Sequence, residues 1–216
     1  MIRSRNSSNM TNPLDRCKDA FYGQSVLLIG NGPSARNLSS LVGSYDKVVT
    51  VNAGLSILKK EEVAADLLWI QDSRMLIDKP DMVIPYLKPD IWLCVPRHGR
   101  LPTNLKSNFV MRVSHLGNSG FSRDPRIGVF TGYNALYGLT QLMAWCEPKK
   151  LGFVGIDMDY SLKNPRAYQS KRGFDVDLHV NDLQISHALK SFRFLGDLGV
   201  GVEIHAISPL LSRSLG

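Results

Sequence analysis

Gly30, Asn31, Gly32 and Pro33 follow a short apolar run, residues 26–29, and precede a helix entry at Ser34-Ala35-Arg36. Two glycines in four residues let a backbone turn sharply and come close to a ligand. Free N–H groups at a helix start attract anions, so the spacing predicts a turn, Ser34 included, that holds a phosphate. The pattern G-x-G-P-S lacks the third glycine of the dinucleotide fingerprint and the Lys-Ser/Thr of a P-loop, and a purely structural turn would satisfy it too. The device recurs in FTGYNAL, residues 130–136, where Thr131 can cap a helix starting near Tyr133 and Gly132 allows close approach to its first N–H groups.

These residues need a frame. Apolar, β-branched runs predict strands at 25–29, 47–51, 67–70, 91–95, 109–113, 151–156 and 202–207. Helices fit between them at 35–42, 54–62, 133–146 and 181–198, the third with Leu136, Leu139, Leu142 and Met143 on one face. This alternation predicts an α/β fold: one doubly wound, mainly parallel sheet of about seven strands with ligands at the carboxyl ends of its strands. Successive strand ends carry Gly30-Asn31-Gly32, then Asn52, then Gln71-Asp72-Ser73, then Asp157. Their amides offer both donors and acceptors, suited to a base edge or ribose hydroxyls.

The chain has 216 residues, 44% of them hydrophobic, enough for one sizeable core; residues 1–24 look like a polar, partly mobile lead-in, and 25–216 form the domain. No apolar run reaches the ~18 residues of a membrane span and the polar start resembles no signal peptide, so a cytoplasmic protein is expected. Cys17, Cys94 and Cys146 are isolated and without metal spacing, which predicts reduced thiols in or near a core and no bound metal. The net charge is +7, and between Arg97 and Arg126 six cations (Arg97, Arg100, Lys106, Arg112, Arg123, Arg126) face the single acid Asp124. That segment would draw an acidic small substrate or peripheral contact with the anionic inner membrane face, or is simply a solvated surface. No nucleic-acid motif accompanies it, so nucleic acid is not an expected partner.

The set IGNGPS, VNAG, TGYNALYGLTQLMAW, VGIDMDYS, a later His179 and HAISPLLSRS resembles, over residues 25–214 and in the same order, the bacterial sialyltransferases of glycosyltransferase family 42. The resemblance implies a Rossmann-like domain with a short lid, here about residues 158–180, and a CMP-activated acidic sugar (sialic acid, a related nonulosonate or Kdo) as donor. It further implies an inverting transfer to a glycan or glycolipid acceptor in cell-surface polysaccharide biosynthesis, with no essential metal or other cofactor. It assigns the nucleotide to Asn31, Gly32, Asn52, Gln71, Thr131 and Gly132, the catalytic base to His179, and the departing phosphate to Tyr160 and Tyr168.

The chemistry fits those residue types. Breaking the bond from an anomeric carbon to a phosphate leaves charge on the phosphate, which hydroxyl donors and a helix start can stabilise. The acceptor hydroxyl needs a base with a pKa near neutrality, and histidine is the natural choice. His179 precedes a predicted helix, with Asp175, Asp177 and Asp182 near to orient it; His187 falls within that helix, His205 within a strand, and His98 and His115 in the basic segment, where packing or surface roles are expected. Two other readings stay open. A Mg²⁺-dependent pyrophosphokinase resembling the hydroxymethylpterin type would use Asp72, Asp157 and Asp159 on the metal. A non-catalytic nucleotide-binding module would need only the strand ends.

Overall fold

The computed structural model describes residues 12–36, 38–157, 186, 190 and 194–205. Seven parallel strands form one sheet: β1 (Ser25–Ile29), β2 (Lys47–Val51), β3 (Leu67–Trp69), β4 (Trp92–Pro96), β5 (Phe109–Val113), β8 (Lys150–Val154) and β9 (Gly201–Ile204). Their order is β5-β4-β3-β2-β1-β8-β9, so the chain winds outward from β1 and then returns to its other side. This is a Rossmann-like α/β sheet, with its topological switch between β1 and β8.

Successive side chains on a strand point to opposite faces, and the two core layers follow from that. Val26 and Leu28 join one layer, with Leu14, Cys17 and Phe21 of α1 (Pro13–Phe21) and Leu136, Leu139, Leu142 and Met143 of α5 (Ala135–Trp145). Leu27 and Ile29 join the other, with Leu55, Ile57 and Leu58 of α3 (Gly54–Lys60) and Leu76 of α4 (Arg74–Asp78). Every residue of β1 is buried, and each Leu or Ile there contributes roughly 1.5–3 kcal/mol.

Several elements correct the sequence expectation. Part of the polar lead-in is α1, started by the Asn12 side chain accepting from Leu14 N and by Pro13 at its first position. The helix expected over 35–42 is a 3₁₀ turn, Pro33–Ala35, then extended Arg36 and a short α2 (Ser39–Val42). Helix α5 starts later than expected and is capped by Asn134, whose Oδ1 accepts from Leu136 N at 2.9 Å; Thr131 does not cap it. It is buried all round from Leu136 to Trp145, not along one stripe, because α1 and Leu195 share its core layer. Residues 115–117 and 129–130, which fall outside the strands expected from the sequence, pair as a second, two-stranded parallel sheet, β6 (His115–Gly117) and β7 (Val129–Phe130). The three cysteines are free and buried, and burial pushes the Cys94 thiol well above its usual range.

Among the described residues no helix is long and apolar enough to cross a membrane.

Candidate functional site

The strand-end residues divide into two groups. The first sits at the switch between β1 and β8. Gly30 N donates to Val154 O at 2.8 Å and Gly32 N to Gly155 O at 2.8 Å. Ser34 donates from its backbone N (3.0 Å) and its hydroxyl (2.8 Å) to Asp157 Oδ2, while Ser34 Oγ accepts from Gly155 N at 2.9 Å. A Cβ on Gly30 would lie 2.3 Å from Gly155 O, and one on Gly32 would lie 2.0 Å from Asp157 Oδ2. The close approach these glycines allow is to the end of β8. The anion on the Ser34 N–H is the chain's own carboxylate.

The second group joins three strand ends. Asn52, in the left-handed region at φ 51°, accepts on Oδ1 from Gln71 N at 3.3 Å, and Gln71 Nε2 donates to Thr131 O at 3.4 Å. Thr131 Oγ1 donates to Asn118 Oδ1 at 2.5 Å. Gly132 has φ 53°, and a Cβ there would lie 2.5 Å from the Tyr137 ring, so glycine suits both the conformation and the space.

Gln141, fully buried on α5, fixes this turn. Its Oε1 accepts from Ser122 N and Phe130 N, and its Nε2 donates to Phe130 O and Tyr137 O, all within 3.0 Å. All four hydrogen-bonding positions of the amide are used, and such a network holds the backbone rigidly.

Two buried amide oxygens, Asn31 Oδ1 and Gln71 Oε1, accept no hydrogen bond from the described residues. An unsatisfied buried acceptor costs about 1–3 kcal/mol, so each is a place where a ligand N–H or O–H would be well received.

Beside Gln71 opens a pocket of about 510 Å³ lined by Gln71, Asp72, Ser73, His98, His115 and Tyr133, with Thr131, Pro96 and Gly99 completing its wall. Its volume lies within the roughly 300–1,000 Å³ usual for small-molecule sites. Asp72 forms an ion pair with Arg74, whose Nε also donates to both carboxylate oxygens at 2.9 and 2.8 Å. Those bonds hold the Asp72 carboxyl below its usual pKa. His115 keeps much of its surface in solvent, yet the walls covering the rest push its imidazole's pKa down.

The structure therefore brings Asn52, Gln71, Thr131 and Gly132 together, sets Asp72 on the adjoining pocket, and gathers Gly30, Gly32, Ser34 and Asp157 into a separate network. His179, Tyr160, Tyr168 and the lid at 158–180 lie outside the described residues. Sequence reasoning passed over His98, His115, Tyr133 and the supporting Gln141. The first two were legible by the rule that selected the others, since His98 follows β4 and His115 follows β5. Of the chain's basic segment, Arg126 pairs with Asp124 and Asp15, and Arg112 is bound to backbone carbonyls.

No family model and no curated protein matches this chain.

Proposed function

We propose that the protein is a sialyltransferase-like glycosyltransferase that moves an acidic sugar from a CMP-activated donor to a glycan. The observation that carries this reading is the linked trio Asn52, Gln71 and Thr131 at the carboxyl edge of the sheet, with the buried acceptors Asn31 Oδ1 and Gln71 Oε1 and a 510 Å³ pocket beside it. Amide oxygens that lack donors suit the amino group of a cytosine or the hydroxyls of a ribose. With Ser34 N bound to Asp157, and Thr131 N and Gly132 N bound to Gly117 O and Asn118 O, neither glycine turn keeps these N–H groups for the donor phosphate, which falls instead to side-chain hydroxyls.

In the transfer the acceptor oxygen bonds to the anomeric carbon as the bond to the phosphate oxygen breaks, and CMP leaves with the electron pair. Tyr160 and Tyr168 donate to the departing phosphate. His179 takes the acceptor proton. A Mg²⁺-dependent pyrophosphokinase is less well supported, because it needs Asp72 and Asp157 as ligands. Their carboxylates are bound to Arg74 and Ser34, in separate networks.

A thermal-shift panel of CMP, CDP, UDP, GDP, ATP and NAD, each with and without Mg²⁺, tests the reading, since a ligand that binds only the folded state raises its midpoint. Selective stabilisation by CMP or CDP without metal is expected. A shift confined to ATP with Mg²⁺ would replace this reading with the pyrophosphokinase.

A further inference from the structure

Beyond Gln71 and Thr131, the pocket takes in two strand ends, those of β4 and β5, that the nucleotide residues do not include. His98 stands at the crest of the turn after β4, and one Arg112 nitrogen, Nη1, donates to the carbonyls on either side of it, Arg97 O and Gly99 O, at 2.9 Å each. Arg97 N donates to Val113 O at 2.8 Å and Gly99 N to Pro96 O at 2.9 Å, so the turn is held by β5 and by its own backbone. Gly99 presses on Ser73, where a Cβ would meet the serine Cβ at 2.7 Å. His115 reaches the same pocket from β6, whose backbone is set by pairing with β7 at Val129. The backbones that carry the two imidazoles are thus held by separate supports around one space.

The charge balance around them is positive. The one acid lining the pocket, Asp72, is neutralised by Arg74. Arg97 and Arg100, on the His98 turn, are exposed and have no acidic partner among the described residues. The remaining wall mixes the polar side chains of Ser73 and Tyr133 with Pro96 and Gly99. Imidazoles and hydroxyls exchange hydrogen bonds with a polyol, and guanidinium groups on the turn that carries His98 favour one with a carboxylate or phosphate.

We propose that this pocket binds an acidic sugar, with His98 and His115 hydrogen-bonded to its hydroxyls and Arg97 and Arg100 selecting its charged group. That the sugar is the acceptor of the transfer rests on the function proposed above.

The test follows the histidine imidazole resonances of the full chain by NMR, assigned with His98→Asn and His115→Asn, during titration with glucuronic acid, glucose 6-phosphate and glucose. CMP is titrated separately. The expected result is a saturable shift of both His98 and His115 with the two acids at concentrations at least tenfold below those needed with glucose. In the Arg97→Glu/Arg100→Glu variant that preference should be lost. Absence of a saturable shift at the two histidines, or equal affinity for glucose and its acids, overturns the proposal. CMP binding without a sugar response defeats this inference and leaves the transferase reading standing. A sugar response without CMP binding supports the pocket and removes the nucleotide from the function.

Discussion

The turn after β1 and the turn before α5 each pass from a strand to a helix start through glycine, and they are put to different uses. In the first, the N–H groups of Gly30, Gly32 and Ser34 are all bound by the end of β8. In the second, Thr131 N and Gly132 N are bound to Gly117 O and Asn118 O, Gln141 and Tyr137 back the turn, and Thr131 lines a pocket. Both turns spend backbone donors within the chain, and what separates them is that the first closes on a carboxylate while the second borders a pocket. That carboxylate is Asp157, 123 residues from Ser34 in the chain, while Gly30 N and Gly32 N are taken by Val154 O and Gly155 O.

Gly30→Ala gives the sharpest break in that comparison. Its Cβ would meet backbone, Gly155 O at 2.3 Å and Gly155 C at 2.9 Å, and neither can swing away as a side chain can. Overpacking of this kind costs about 3 kcal/mol or more, read as a lowered urea midpoint. A near-neutral Gly30→Ala would mean that the turn is not locked to β8.

Asp157→Asn comes next. It exchanges an ionised acceptor of two Ser34 bonds for a neutral one, with an expected loss of about 1–2 kcal/mol. It also removes the resident negative charge, so inorganic phosphate should perturb the Ser34 amide in the variant and leave it unmoved in the parent chain. Phosphate acting on Ser34 in the parent chain would show the first turn open as it stands.

Asn134→Ala should be milder. It removes the cap of α5 at the second turn, typically about 1 kcal/mol, while Gln141 still holds Phe130. If Asn134→Ala unfolds the chain instead, the cap rather than Gln141 is what holds that turn.

How far the sequence foretold these two turns depended on distance along the chain. Strands buried on both faces need continuous apolar runs, and Ser25–Ile29 and Lys47–Val51 matched expectation residue for residue. Helix α1 was hidden by Asp15, Arg16, Lys18 and Asp19, although Leu14, Cys17 and Phe21 form a stripe at spacings of three and four. The 3₁₀ turn at Pro33–Ala35 could not be seen locally, because the partners that draw Gly32 and Ser34 out of a helix are Gly155 and Asp157. The polar residues of the site were visible because they end strands. The same rule, carried on to β4 and β5, reaches His98 and His115; reading those histidines as parts of a basic segment concealed their place at the sheet edge.

The smallest expected effect belongs to His115 and sharpens the contrast, since it marks the second turn's pocket as a place where protonation matters. The pocket wall that covers part of the ring disfavours the imidazolium, so the folded chain holds this proton less tightly than the unfolded chain, whose histidine titrates near ~6.5. Around it stand His98, the Asp72 carboxylate already paired with Arg74, and Tyr133. At a pH between the folded and unfolded values the unfolded state carries the proton and the folded state does not. Stability therefore falls as pH drops through the unfolded value and levels off below the folded one. His115→Asn removes that step. Between about pH 8 and about pH 5 the urea midpoint of the parent should fall relative to that of the variant as the solution is acidified, whatever offset the substitution itself introduces. Parallel curves would mean that the ring is as well solvated in the folded chain as in the unfolded one, and the pocket wall would then not cover it.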